Sequence, residues 1–567
     1  MTSRSASALD LGRRLAAASL GALLAALVTA SAACAPADET AAPVPPEPGP
    51  ATAPLQAGRP ACQSPALPSY AFAEGPYGLH RGELADDFTL ELVDGTTYGL
   101  RARWTGCESH VVIPDTIRVS DLDPTSVWEN DLDELVATSP RDAHYLFVSR
   151  ASTQEQATTA TTAMQQRVDA LLATLAPEDA AYWRRHLHVA RTRAADLGSW
   201  LGEVLVSRGR LGLAIDRFQR IRGVGYLADV SRFRSQLQQQ GYWPWESNLA
   251  YAANEVRYFD GWAARQAALD DDGAHVVTLW NGAILSEQAD KGVSLPSAED
   301  MARYDTLEVE VELACPDPEK IEFGNCGAWD YLASLYLLPE KTGGETVELA
   351  RFITSYHRET HWVVDASPML AILADGGKRM LRWSFAPPWN PQPTATRLAL
   401  RFSNRGKGYR PAEATFLWSG GDFGPGYDAL HPSKDVAIPA DAKRVELWAL
   451  VTGHGGATQN CAEFCAHQHD FTVNGTTYTK SHPDVSQNDG CMPEMDRGMV
   501  PNQAGTWWFG RGGWCPGQQV EPFVADVTAD VTPGASAHLT YTATLNGQIP
   551  PNGAGNIFLA SYLVVYR

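Results

Sequence analysis

The chain has 567 residues, too many for one hydrophobic core, so two to four domains are expected. Its 45 Lys and Arg stand against 66 Asp and Glu, a net charge of −21, which argues against a basic nucleic-acid face or phosphate-binding face. The 17 Trp suit stacking on sugar rings as well as packing sandwich cores, so carbohydrate is a reasonable ligand class.

At the N-terminus, Arg4, Arg13 and Arg14 flank an apolar run from Leu15 to Val28 that leads into Ser31-Ala32-Ala33-Cys34. Such a run is short for a bilayer of ~30 Å and reads as a signal peptide, residues 1–34. Cys34 sits in a lipobox-like sequence, with Ser31 where Leu is usual, and the Arg13-Arg14 pair hints at twin-arginine export. Residues 35–60 are rich in Pro, Ala, Glu and Thr and bury too little to order themselves, so a flexible tether is expected. The expectation is a monomeric exported protein of the cell envelope or surface, lipid-anchored at Cys34 and otherwise not membrane-bound.

Residues 61–270 read as α/β. Phe88, Leu90 and Leu92 alternate ahead of Asp94-Gly95, a hairpin signal. His144 to Val148 is a short apolar strand, and Met164, Val168, Leu171, Leu172 and Leu175 recur at helical spacing. Leu213 to Ile221 reads as strand, turn, strand, and the whole as an open sheet flanked by helices. Asp87 to Gly95, Trp104 to Cys107 and Ala214 to Arg217 resemble thioredoxin-like peroxidases of the alkyl hydroperoxide reductase class. There is no Cys-x-x-Cys, so a redox role rests on Cys107 alone, and a scaffold or binding role is favoured.

From about residue 275 the pattern becomes all-β. Leu307, Val309, Val311 and Leu313 alternate with Glu308, Glu310 and Glu312, predicting a strand with one wet face. Leu398, Leu400 and Phe402 alternate likewise, as do Val445, Leu447, Ala449 and Val451. Asn474-Gly475 between Phe471-Thr472-Val473 and Thr476-Thr477-Tyr478 is a hairpin signal. Two successive sandwiches are expected, residues 271–428 and 429–567, divided in the glycine-rich stretch Gly420 to Gly426.

Setting Cys34 aside, eight Cys remain, and an even count in an exported chain argues for disulfides. Spacing pairs Cys315 with Cys326, Cys461 with Cys465 and Cys491 with Cys515, leaving Cys62 with Cys107. The competing reading takes Cys461, Cys465, His467 and His469 as zinc ligands, which an oxidising compartment disfavours.

Four blocks, in order, resemble peptide-N-glycosidase F. They are Cys315-Pro316 with Asn325 to Asp330; Arg351 to Thr354 with Tyr356; Thr452-Gly453 with Asn460 to Cys465 and His469; and Gly490-Cys491 with Gly505 to Trp507 and Arg511 to Gly517. The resemblance spans about half of the chain, from about residue 275 to Arg567. It implies two jelly rolls with an active site in the cleft between them. It implies Asp330 and Glu463 as catalytic carboxylates, Arg511 as an active-site arginine, and Trp329, Trp514 and His454 as substrate contacts. It also implies the three disulfides of the C-terminal half, an N-glycosylated peptide or protein as substrate, and no cofactor. Chemically, such an amide hydrolysis needs an activated water and a proton for the leaving amine, which paired carboxylates supply. An arginine can stabilise charge developing on the amide oxygen.

The chain departs from the family in three places. Arg382 to Trp389 carries no carboxylate where the family has a second glutamate; Tyr331 replaces an Arg; and His454 replaces a Trp. Two other classes follow from these departures. One is a glycan- or glycoprotein-binding surface lipoprotein without catalysis. The other is a copper-dependent monooxygenase-like protein on the same double jelly roll, with His454, His467 and His469 converging on the metal.

Overall fold

The computed structural model describes residues 62, 69–80, 82–115, 127–129, 132–139, 141–206, 212–222, 252–316, 327–341, 344–456, 458–487, 490–491, 493–501, 503, 507 and 509–567. The leader, Cys34, the tether and Cys326 lie outside these residues. No described helix is long and apolar enough to cross a membrane.

The expected hairpin forms from β1 (Thr89–Glu91) and β2 (Thr97–Gly99). A mixed five-stranded sheet follows, built from β3 (Ser109–Pro114), β4 (Ala143–Val148), β5 (Leu187–Val189), β6 (Leu213–Ile215) and β7 (Ile221–Arg222). Its order is β5-β4-β3-β6-β7, with β3, β4 and β5 parallel and β6 and β7 antiparallel. Both faces of β3 and β4 are buried, as a sheet covered on both sides requires. One face, with Val111, Ile113, Tyr145 and Phe147, packs against Met164, Val168 and Leu172 of the helix Gln154–Leu172. The other, with Val112, Leu146 and Val148, packs against Leu201, Val204 and Leu205. Thr153 caps the long helix by accepting from the Gln156 amide.

The rest is antiparallel β. In the first sandwich, one sheet has the order β13 (Thr360–Asp365), β10 (Thr306–Ala314), β15 (Thr394–Ser403), β8 (His275–Leu285). The opposing sheet runs β12 (Val347–Ile353), β11 (Leu332–Leu337), β14 (Gly376–Ser384), β9 (Gln288–Ser297). The second sandwich pairs β16 (Pro411–Asp422), β23 (Asn556–Tyr566), β18 (Arg444–His454), β21 (Phe523–Asp526) with β17 (Lys434–Ala437), β22 (Ser536–Leu545), β19 (His467–Val473), β20 (Thr476–Ser481). Asn474 and Gly475 both take positive φ, 47° and 96°, which lets β19 turn directly into β20.

One expectation is overturned. The glutamate face of β10 is not wet: Glu310 and Glu312 are buried. The helix Ala252–Asp271 covers that face. Its Trp262 stacks on His361 at 5.0 Å, its Tyr258 hydroxyl accepts from the His361 amide, and its Leu269 carbonyl accepts from Arg401. The glutamates are neutralised in place, Glu310 by His361 at 3.2 Å and Arg401 at 3.1 Å, and Glu312 by Arg397 at 3.6 Å. Alternation located the strand and its two faces; partners for the two buried carboxylates were not visible in it.

The sandwiches share apolar surface. Leu447, Ala449 and Val451 of β18 face the core of the second sandwich, while Trp448 and Leu450 on its other side join the core of the first. Tyr562, Val564 and Tyr566 of β23 do the same. Arg351 of β12 bonds across to Thr452 Oγ1 at 2.9 Å and to the Phe558 carbonyl at 2.8 Å, with Glu348 as its ion partner. A buried seam of this kind holds groups on the two sandwiches in fixed register.

Candidate active site

Asp330 ends the segment 327–330 that leads into β11. Thr354 pins that segment: its hydroxyl accepts from the Tyr331 amide and donates to the Trp329 carbonyl. Glu463 lies on the other sandwich, in the one-turn helix Cys461–Phe464 after Asn460, which takes φ 52°. A disulfide between Cys461 and Cys465 closes this turn. Glycines let the backbone crowd against it. A Cβ on Gly453 would lie 1.9 Å from the Ala462 carbonyl oxygen, and one on Gly512 would lie 2.2 Å from His467 Nε2.

Arg511 joins the two carboxylates. Its Nε is 3.2 Å from Glu463 Oε1 and its Nη2 3.6 Å from Asp330 Oδ2, while Nη1 donates to the Phe509 carbonyl. The arginine side chain is 1% exposed and each carboxylate 18%, so the cation forms a buried floor beneath two accessible acids. Glu463 Oε2 also accepts from the Gly455 amide at 2.8 Å. The Arg511 guanidinium lies 4.8 Å over the Trp514 ring, and Trp514 stacks on His454 at 4.9 Å.

Burial pushes the Glu463 carboxyl above the usual carboxylate range, with the neighbouring Asp330 charge adding to it; Arg511 and the Gly455 amide oppose. Burial likewise raises Asp330, against Arg511 and a hydrogen bond from Tyr356. Burial and the nearby Arg351 and Arg511 cations hold His454 well below the ordinary histidine range, so it is a neutral ring. Two carboxyls biased toward the proton, over a fixed cation, are suited to holding and passing a proton beside a polarised carbonyl.

Five of the residues singled out in the sequence for this site are brought together, Asp330, Glu463, Arg511, Trp514 and His454, and Trp329 adjoins Asp330 in the chain. Two more were missed. Tyr356, two residues past Thr354, reaches Asp330. Trp389 is 84% exposed on a loop tied to the Asp330 segment, since Asn390 donates to the Tyr331 hydroxyl and Gln392 accepts from the Ala328 amide. Trp329 is 48% exposed. Trp329 and Trp389 are large apolar rings left in water on, or tied to, the Asp330 segment; the sequence shows Trp residues but not their exposure. The stretch of missing carboxylate is explained locally: Trp383 and Phe385 are fully buried core. Tyr331, in place of an arginine, packs partly into the core and holds the Trp389 loop.

The metal readings change. Cys461 and Cys465 are bonded to each other, so neither is a thiolate ligand. His454 does not join His467 and His469; His482 does. His467 Nδ1 and His469 Nε2 are 2.7 Å apart and bond each other, and His469 Nδ1 bonds the Tyr541 hydroxyl at 2.7 Å. His467 and His469 thus spend nitrogens on each other and on Tyr541, as a buried polar network does. Cys491 pairs with Cys515 and Cys62 with Cys107, which leaves no Cys107 thiol for redox chemistry. Cys315 is disulfide-bonded.

Residues 427–564 match the family model described as peptide-N-glycosidase F, C terminal. The chain is 23% identical over 300 residues to peptide-N(4)-(N-acetyl-beta-D-glucosaminyl)asparagine amidase F of Elizabethkingia miricola, covering 49% of this chain and 78% of that protein. Among solved structures, PNGase F, a glycosylasparaginase from Flavobacterium meningosepticum, aligns with a TM-score of 0.40 and 18% identity over 52% of this chain and 96% of that one. PNGF-II aligns with a TM-score of 0.38 and 13% identity over 53% and 67%. The C-terminal half of this chain is a relative of the peptide-N-glycosidase F family.

Proposed function

We propose that the protein is an amidase that hydrolyses the bond between an N-glycan and its asparagine in glycoproteins or glycopeptides. The observation that supports this most is the Asp330–Arg511–Glu463 arrangement, one carboxylate from each sandwich over a shared buried cation. In this reading the substrate amide lies across the floor, with its oxygen directed to Arg511. Asp330 polarises the attacking water and Glu463 carries the proton toward the leaving amine. Trp329 and Trp389 contact the sugar and peptide, whereas Trp514, expected as a substrate contact, is a buried core ring that donates to the Gly453 carbonyl and supports Arg511 and His454 from behind. The two sandwiches are read as jelly rolls, and residues 61–270 as a thioredoxin-like scaffold without redox chemistry, a reading its parallel-then-antiparallel strand order supports. Export and lipid attachment at Cys34 rest on the leader sequence.

The test is incubation of the protein with high-mannose, complex and core-fucosylated glycopeptides, read by mass spectrometry. Free glycan with Asn converted to Asp, and loss of that conversion in Asp330→Asn, is the expected result. Retention of glycopeptides without conversion would instead favour a binding protein, a reading that the buried Phe385 and Trp383 support by leaving no second first-sandwich carboxylate in that stretch.

A further inference from the structure

The α/β layer carries a second cluster of chemistry-bearing side chains, unrelated to the site above. Glu108, at the entry to β3, faces His144 of β4 and His186 just before β5. The Glu108 Oε1 to His186 Nε2 distance is 3.0 Å, and Oε2 to His144 Nε2 is 3.5 Å. Parallel pairing of β3, β4 and β5 sets these residues side by side at one end of the sheet. His144 and His186 are buried and their rings stack at 4.4 Å, while the Glu108 side chain stays 22% exposed, which leaves a path from solvent.

The hydrogen bonds behind the cluster are informative. His186 Nδ1 lies 2.7 Å from the Tyr182 carbonyl, which can only accept, so Nδ1 carries the hydrogen. In the neutral ring Nε2 is then a lone pair, aimed at a carboxylate oxygen that also only accepts. Two acceptors at 3.0 Å need a positive centre between them. A backbone carbonyl that fixes the tautomer and turns Nε2 outward is the usual support for a metal-binding histidine. His144 is positioned by a second ring, its Nδ1 lying 3.1 Å from His188 Nε2. Glu108 is held as well: the Thr105 hydroxyl donates to Oε2, and the Cys62–Cys107 disulfide anchors the adjacent residue.

The spacing accommodates an ion as well as the proton of an ordinary hydrogen bond. A tetrahedral ion with bonds of ~2.0 Å places its ligand atoms about 3.3 Å apart, and the two carboxylate-to-imidazole distances bracket that value. One ligand atom from each of the three residues lies within 4.8 Å of the other two. Arg103, which lies over the Tyr98 ring at 5.2 Å, is a nearby cation that acts against a bound ion, and the Glu108 carboxylate offsets it.

We propose that Glu108, His144 and His186 form a binding site for a divalent transition-metal ion of the zinc class, with a coordination position left open to solvent. Two imidazoles and one carboxylate suit zinc or cobalt and are a poor match for calcium or magnesium, which take all-oxygen shells. The site does not depend on the amidase reading.

The full-length protein, stripped with chelator, is titrated with Co²⁺ and followed by visible absorption, then displaced with Zn²⁺. The expected result is a stoichiometric ion with the intense visible band of a four-coordinate site. Glu108→Gln and His186→Gln should each weaken binding by at least about 10-fold, the least that loss of a supporting partner costs. His482→Gln, in the other histidine cluster, should leave it unchanged. If His186→Gln does not fold, Glu108→Gln decides, because its side chain is partly exposed and its fold is checked by circular dichroism. No stoichiometric Co²⁺ or Zn²⁺, or binding that Glu108→Gln leaves intact or that His482→Gln abolishes, would overturn the proposal.

Discussion

Arg511 donates from Nε to Glu463 Oε1 across 3.2 Å while its side chain is almost wholly buried, at 1% exposure. The pair joins the one-turn helix Cys461–Phe464 to a loop of the second sandwich, and the other end of the same guanidinium reaches Asp330 of the first, 3.6 Å away. The residue is therefore both a charge and a spacer. A lysine there would keep the charge and lose the fork that serves both acids.

Replacing Arg511 by Gln should lower kcat by about 10²–10³-fold, the range for removing one preorganised donor. A change in pH profile should accompany it. Burial raises both carboxyls and Arg511 is the largest opposing influence on each. Without it both rise further, so any step that needs an ionised carboxylate fails at a higher pH. The acid limb of kcat/KM should shift upward. A variant with reduced rate and an unmoved acid limb would show that Arg511 does not set these ionisations.

Gly512→Ala tests the positioning of Glu463 without touching an acid. Its Cβ would sit 2.2 Å from His467 Nε2 and 2.4 Å from the Ala462 carbonyl oxygen, and the Ala462 backbone is held to Ala554 and the disulfide turn. Something must move, and the Gly512 amide donates to the Glu463 carbonyl. Deglycosylation should drop by an order of magnitude or more, in keeping with what small misplacements cost. The five-stranded sheet of the α/β layer should be unaffected, so far-UV circular dichroism of the variant should match the natural protein while activity falls.

The aromatic rim predicts a different kinetic signature. Trp329 and Trp389 are 48% and 84% exposed, so neither supports the core, and alanine at either should change stability little. If they stack on sugar, KM should rise several-fold with kcat nearly kept, the pattern for lost uniform binding. A fall in kcat with KM unchanged would place them in the chemistry instead.

Much of this was legible in sequence because it is local. Period-two alternation located β10, β15 and β18, and Asn474-Gly475 located a turn that needs two positive φ values. The Cys461–Cys465 spacing located the turn that carries Glu463. What sequence could not supply was long-range partnership. Glu310 finds Arg401 91 residues away, and the covering helix Ala252–Asp271 precedes the whole first sandwich in the chain. The histidines illustrate both cases: His467 and His469 were read as a pair from their spacing, while His482 reached them only through strand pairing of β19 with β20.

The covering helix gives the last test. Trp262 is 5% exposed and stacks on Phe259 at 5.6 Å and on His361 at 5.0 Å. Trp262→Ala should destabilise by about 3–5 kcal/mol, the range for emptying a large aromatic site. It also opens the Glu310 network to water, which allows a check by pH. Burial pushes the Glu310 carboxyl up, but His361 and Arg401 outweigh it and the net shift is downward. A carboxylate lowered on folding adds stability above its unfolded pKa of ~4.3, and that stability is lost as pH falls through the folded value. Glu310→Gln should therefore lower Tm at neutral pH, and the gap to the natural protein should close on acidification below about pH 4. A gap that stays constant down to pH 3 would mean that the Glu310 charge contributes nothing and that the helix is held by packing alone.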